Sequence, residues 1–265
     1  MAAAAPVIAG APPPTSTKRR VAMLRVAIVV VALASWEALA LSGLLFRDVV
    51  PSLVAIGKAV ATLVMRADFY TNLAVTAMEV GAAVAIGGIA GLVVGIVLGA
   101  NRFLSNAFEA LLLYLGPTPK VIFFPVMLMW FGVGMGSKIA LGTLSCFFPV
   151  AISVAAGMRE IDAVLIRVGR SFRASGWKMA TSIYLPAMRL PVVNGFRLGV
   201  GVAIIGTLLA ETKLSNKGIG YLIIQAYATF DMPRMYALLI VLFALSIGLN
   251  ALIGRFGRGD RRAMV

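Results

Sequence analysis

The side chains with most chemistry to offer are gathered in one stretch, Arg159 to Pro191, which reads REIDAVLIRVGRSFRASGWKMATSIYLPAMRLP. It carries Arg159, Arg167, Arg170, Arg173, Lys178 and Arg189, opposed only by Glu160 and Asp162. This is a set for docking against a partner, not for making or breaking bonds. The chain has no His, which removes His-based metal sites, HExxH zincins and Ser–His catalysis together. Its single cysteine, Cys146, lies in an apolar run, where a lone thiol reads as a small buried hydrophobe. Within the basic stretch Ile161, Val164, Leu165 and Val168 recur at helical spacing and Phe172 follows, which predicts a short amphipathic helix outside the bilayer. Gly176 is expected to break it, Trp177 to Tyr184 to form a second short helix, and Pro186 and Pro191 to end the segment. A basic helix–turn–helix between spans faces the cytoplasm under the positive-inside rule.

The elements that hold this stretch are set by composition. The 265-residue chain is 61% hydrophobic and 13% charged, with a mean hydropathy of +0.98, the signature of an integral membrane protein. Its formal charge of +14 comes from basic residues that flank apolar runs, so the excess serves topology and contact with anionic lipid headgroups, not nucleic acid.

Met1–Thr17 is rich in Ala and Pro and is expected to be disordered; residues 1–20 are taken as a cytoplasmic tail. Lys18, Arg19, Arg20 and Arg25 precede an apolar run to Phe46 that is too long for a signal peptide and long enough to span, giving a first helix that starts on the cytoplasmic side. Pro51-Ser52 marks a turn, and Leu53–Met65 an amphipathic helix at the outer surface. Val80–Ala100 is the second span; its Gly87, Gly91, Gly95 and Gly99 form a ridge for close helix packing. Asn101–Asn106 is a short turn. Ala107–Val133 is a third span broken at Gly116-Pro117-Thr118-Pro119-Lys120 and kinked again at Pro125; a break at membrane depth points to a translocation path. Ser137–Gly157 is the fourth span and Val192–Ala210 the fifth, with Asn194 and Arg197 near its cytoplasmic end. Glu211–Arg234 is an outer loop, Tyr236–Ile253 the sixth span, and Arg255, Arg258, Arg261 and Arg262 a basic tail over 255–265. The fold class is therefore all-α and polytopic, with about six transmembrane helices over 21–254 and both termini cytoplasmic.

The segment from Arg167 to Pro186 resembles the cytoplasmic coupling loop of bacterial ABC importer permeases, whose pattern is E-A-A, three residues, G, nine residues, I-x-L-P. Ile183-Tyr184-Leu185-Pro186 matches its end. Arg167 stands at the Glu position, Val168 and Gly169 at the two Ala positions, and Arg173 at the Gly position. Arg170-Ser171-Phe172, Ala174-Ser175 and Trp177 are similar to the version in the nitrate, sulfonate and taurine branch, as are Trp130-Phe131-Gly132, Phe147-Phe148-Pro149, Ala210-Glu211-Thr212 and Gly218-Ile219-Gly220-Tyr221-Leu222.

The resemblance implies a type I importer permease fold in a bacterial inner membrane. It further implies a permease dimer, a cytoplasmic ATP-binding subunit docked on the loop, and a periplasmic or lipid-anchored solute-binding protein. The coupling residues would be Arg167, Gly169, Arg170, Ser171, Phe172, Arg173, Ala174, Ser175, Gly176, Ile183, Leu185 and Pro186, with Phe172 and Ala174 as an apolar anchor inside a basic rim. Pro117, Pro119, Pro125, Asn194, Glu211, Gly218 and Gly220 are candidates for the path or the outer docking face; Glu211, at a span end, should face the cavity or a partner. The chain has no GxxxxGK[ST] motif, so ATP and Mg are expected on the partner, with no cofactor, metal or enzymatic activity here. An ion-coupled secondary transporter or channel is the alternative. It would show ionisable residues within the spans, and Glu37, Glu79 and Glu109 are placed near helix ends instead.

Overall fold

A computed structural model describes residues 15–44 and 49–256. The expected tail ahead of Thr15 and most of the basic tail, 257–265, lie outside the described residues. The chain divides into two compact units, Met1–Lys58 and Ala59–Val265. In the first, α1 (Thr15–Ser42) carries an apolar stretch, residues 26–34, that is exposed on every face, as a lone helix in lipid would be. The Glu37 carboxylate accepts the Leu53 N–H (2.7 Å), serving the start of α2 (Leu53–Val64), and the Trp36 indole donates to the Pro51 carbonyl (3.1 Å).

The second unit is built on three long helices, α3 (Ala67–Ala100), α6 (Met135–Arg159) and α10 (Arg189–Lys213). In lipid the hydrophobic effect gives helices no reason to associate, so close packing must do it. α3 and α6 run parallel in near backbone contact: a methyl added at Gly91 would lie 2.8 Å from the Phe147 carbonyl oxygen and 2.9 Å from the Val150 Cβ. Gly87, Gly95 and Gly99 meet Thr143, Val154 and Met158 in the same register, so the ridge read from the sequence is a helix–helix seam. α10 runs antiparallel to α6, with Gly195, Gly199 and Gly206 against Ser153, Val150 and Ser145. Cys146, Val150, Val154, Met158, Met188 and Ala203 fill the buried core between them.

α3 is longer than expected. Its 34 residues rise about 51 Å, well beyond a hydrocarbon core of about 30 Å. Polar residues at Asp68, Asn72, Thr76 and Glu79 end the apolar run in sequence but not the helix. The expected turn over Asn101–Asn106 is Asn101 alone, whose side chain caps α4 (Arg102–Leu115) by accepting from Phe103 N and Leu104 N.

The third span is broken as expected. α4 and α5 (Phe124–Phe131), the latter led by a 3₁₀ turn over Lys120–Phe123, meet at 91° across the Gly-Pro-Thr-Pro break. The freed groups find local partners: Gly116 N–H donates to Leu112 O (2.8 Å), the Thr118 hydroxyl to Tyr114 O (3.1 Å), and the Lys120 ammonium to Gly116 O. Pro125 makes no second kink. It sits in the first turn of α5, where no intrahelical donor is required.

Two further helices close the unit. α11 (Ile219–Ala228) and α12 (Met232–Phe256) pack through Ile219, Leu222, Ala226, Ala237 and Leu238, with Leu63 and Phe69 completing that cluster. The expected loop over Glu211–Arg234 is thus mostly helical, and Glu211 belongs to α10. Among the described residues five helices are long and apolar enough to span, and six if the bent pair counts as one span.

Gly91→Ala should destabilise the protein by about 1–3 kcal/mol because the added methyl has nowhere to go. Gly81→Ala, where nothing lies within 4 Å, should be neutral or stabilise by up to about 1 kcal/mol. Thermal unfolding of the two purified variants checks this; equal effects would contradict the seam.

Candidate functional site

The basic stretch folds as a hairpin. α7 (Ala163–Ser171) starts at Asp162, whose carboxylate accepts the Val164 N–H at 2.8 Å. It ends in a Schellman arrangement: Arg173 N–H donates to Arg170 O (2.9 Å) and Ala174 N–H to Gly169 O (3.1 Å). Arg173 is the left-handed residue of this turn, with φ +50°. The break is therefore at Phe172–Ser175, not at Gly176, which opens α8 (Gly176–Met179) under the cap of the Ser175 hydroxyl. A π-helical turn, Ala180–Tyr184, and α9 (Leu185–Ala187) carry the chain into α10. Pro186 lies near the end of a helical run, residues 176–187, that stops at Met188 (φ −104°, ψ 23°), close to where the sequence placed its end, whereas Pro191 lies in the first turn of α10 and ends nothing.

α7 folds back on this return limb. Gly169 is buried so closely against Ile183 and Met179 that an added methyl would overlap both. Of the predicted coupling residues, Gly169 and Ile183 are thus brought together inside the hairpin. Arg167, Arg170, Ser171, Arg173, Ser175 and Gly176 are exposed, with Ala174 partly covered, and Leu185 and Pro186 sit on the return limb. Phe172 and Trp177 are 81% and 78% exposed, flanking the turn. Val164, Leu165 and Val168, the apolar residues of α7, are about half exposed as well.

The proposed path residues divide. Pro117 and Pro119 are exposed at the break. Beside them Lys120, half-buried, has its ammonium 5.0 Å from the Phe148 ring centroid. Asn194 is exposed on α10, about 25 Å along the helix from Glu211. Glu211, Gly218 and Gly220 do come together, but Glu211 faces neither a cavity nor an open surface; it is fully buried within the chain. Its carboxylate accepts the Thr76 hydroxyl (2.6 Å) and the Gly220 N–H (2.6 Å). Thr76 in turn accepts the Ile219 N–H (2.8 Å), and Asn72 accepts the Gly218 N–H (2.7 Å).

The start of α11 has no side-chain cap of its own, since Gly218 precedes it at φ +105°. Side chains from α3 and α10 supply the acceptors instead, and a carboxylate is well placed at a helix N-terminus. Gly218 and Gly220 each pass so close to the Glu211 side chain that a Cβ would collide with it.

Two further ionisable groups surround this cap and were not expected there. Glu79, placed near a helix end from sequence, lies well inside α3 and is 1% exposed. Lys138, expected at an outer end, is 3% exposed and donates to Val133 O (2.6 Å) and Gly134 O (3.0 Å). One Glu79 carboxylate oxygen is buried with no hydrogen-bond partner among the described residues. The signal available in the sequence was the polar stripe Asn72, Thr76, Glu79 on one face of an otherwise apolar helix.

Over the described residues the arrangement is an all-helical membrane body with one broken span and an exposed, arginine-rich hairpin. A family model for the binding-protein-dependent transport system inner membrane component matches residues 87–261. The chain belongs to that family and is the transmembrane permease subunit of an ABC importer. It is similar to a probable ABC transporter permease protein of Haemophilus influenzae, 29% identical over 221 residues covering 83% of this chain and 89% of the relative. It is also similar to a putative aliphatic sulfonates transport permease of Bacillus subtilis, 28% identical over 80% of this chain and 76% of the relative. The taurine transport permease of Escherichia coli is 29% identical over 71% of this chain and 70% of its own length.

Glu211→Ala should free the α11 start, since each buried donor left unpaired costs about 1–3 kcal/mol. Hydrogen exchange at Ile219–Tyr221 should quicken while the α3–α6 seam stays protected, and uptake should fall. Unchanged exchange at α11 would contradict the capping role.

Proposed function

We propose that this permease carries a small anionic or zwitterionic solute, of the sulfonate, taurine or nitrate kind, by alternating access driven by a separate cytoplasmic ATP-binding subunit. The observation that carries the reading is the hairpin at the arginine-rich end, where Phe172 and Trp177 stand almost bare on a capped, hydrogen-bonded turn. Aromatic anchors ringed by arginines are what a groove on a partner takes up. Arg167 and Arg173 form the rim, Arg170 lining a separate cavity toward the end of α6, and a carboxylate on the partner would answer the Arg at the family's Glu position. ATP and Mg then bind on that subunit, and the permease itself hydrolyses nothing.

In this reading the arginine-rich end and both termini are cytoplasmic, as the positive-inside bias requires. The body over 21–254 pairs with a second permease in a bacterial inner membrane, and a solute-binding protein docks at the opposite end, where the Glu211 cap holds α11. Closure of the ATP-binding subunits would move the hairpins, and the stiff α6 and α10 would pass that motion to the broken span. Lys120, at the break, supplies a cation where an anionic solute would pass. Likeness to the sulfonate and taurine permeases supports the same solute class.

Uptake into vesicles holding the complete importer should require ATP and survive collapse of the ion gradients. ATP-independent uptake that fails with the gradient would instead favour an ion-coupled carrier. Arg173→Glu should cut co-purification of the ATP-binding subunit several-fold. Arg173→Gly should keep the complex, because glycine suits the left-handed turn. Full retention with Glu would remove the charge from the docking account.

A further inference from the structure

A cavity of about 620 Å³ opens between the α3–α4 turn, the end of α6 and α7. Its cationic lining is Arg102, Arg159 and Arg170 against one carboxylate, Glu109, a net of +2 (three minus one). Arg159 is committed: it pairs with Glu109 and donates to the Ser105 hydroxyl at 3.0 Å. Arg102, in the first turn of α4, and Arg170, on α7, have no hydrogen-bond or ion-pair partner among the described residues. The Tyr184 hydroxyl and the Asn106 amide, on the same wall, are also without partners there. Donors from three separate elements therefore converge on one polar space with nothing of the protein's own to satisfy them.

We propose that this cavity holds the phosphate of an anionic phospholipid. Guanidiniums bind phosphate through paired, charge-assisted hydrogen bonds, and two free ones suit one phosphodiester. The cavity lies where α3 ends and α4 begins, the level of a membrane surface, and basic pockets between spans at that level take anionic headgroups. What favours a lipid over a free anion is the apolar face of α4 beside the cavity. The cavity shares Ser105, Glu109 and Arg159 with a narrow seam between α4 and α6 whose other walls are Leu98, Leu112, Leu113, Ile152 and Ala155. Phe108, Leu111 and Leu115, at helical spacing on α4, expose an apolar stripe beside that seam. A phosphate ion has no use for such a surface; an acyl chain does. The bound lipid ties α7, which carries the docking hairpin, to the membrane-embedded α4.

Native mass spectrometry of the complete importer in mild detergent tests this, with added phosphatidylglycerol, phosphatidylcholine or inorganic phosphate. Retained phosphatidylglycerol should exceed phosphatidylcholine, and an excess of inorganic phosphate should not displace it. Arg102→Gln should lower phosphatidylglycerol occupancy about tenfold, the loss expected for one charge-assisted hydrogen-bonding group. Arg102→Lys should keep most of it, and Lys217→Gln, remote from the cavity, all of it. Equal retention of the two lipids, or occupancy indifferent to Arg102→Gln, would overturn the proposal. Displacement by inorganic phosphate would assign the cavity to a free anion and overturn the lipid. The comparison of lipids on the unmodified protein decides the matter even if a variant fails to fold.

Discussion

Between α3 and α6 there is no room for a side chain, and the rest of the permease is arranged around that fact. Two parallel helices meet backbone to side chain through four glycines on α3, and α10 adds its own small-residue face from the other side of α6. Dispersion contacts made at this range are individually small and collectively large. They replace the hydrophobic drive that lipid does not provide. Because α3 and α6 are parallel and α10 antiparallel, one end of the triad gathers the ends of α3 and α6 with the start of α10. The hairpin of α7–α9 is strung directly between α6 and α10, so it cannot shift without pulling on the core.

At the other end the same three helices contribute one buried group each: Glu79 from α3, Lys138 from α6 and Glu211 from α10. Isolated charges at such burial are severely penalised, and two of the three are used locally, to terminate backbone groups. Lys138 closes the carbonyls of Val133 and Gly134 at the α5–α6 corner, and Glu211 closes the start of α11. Ionisable residues inside the spans would ordinarily argue for ion coupling. The hydrogen-bond partners of Lys138 and Glu211 belong to the architecture, while one Glu79 carboxylate oxygen has none among the described residues; the family is that of importer permeases.

Much of this was legible in the sequence. Glycine at every fourth position has one main use between membrane helices, and Gly116–Lys120 cannot continue a helix, so the seam and the broken span could be read directly. The hairpin was visible from its arginines and helical periodicity. The misreadings have physical causes. Prolines at 125 and 191 look like breakers, but each falls in a first turn, where a missing N–H is harmless. Gly176 looked like the hinge because glycine is the usual left-handed residue, whereas Arg173 takes that conformation under two backbone hydrogen bonds. The Glu211 cap stayed hidden because its partners lie 135 residues apart in one case and nine in another, and hydropathy does not report pairing over such separations.

The central claim is that the hairpin around Phe172 and Trp177 is the surface through which an ATP-binding subunit drives this permease. A photo-crosslinking amino acid placed at either position in native membranes tests it most directly. The account predicts a dominant covalent adduct with a nucleotide-binding protein, altered in yield by ATP. Adducts with lipid alone, or none while the importer remains active, would contradict it.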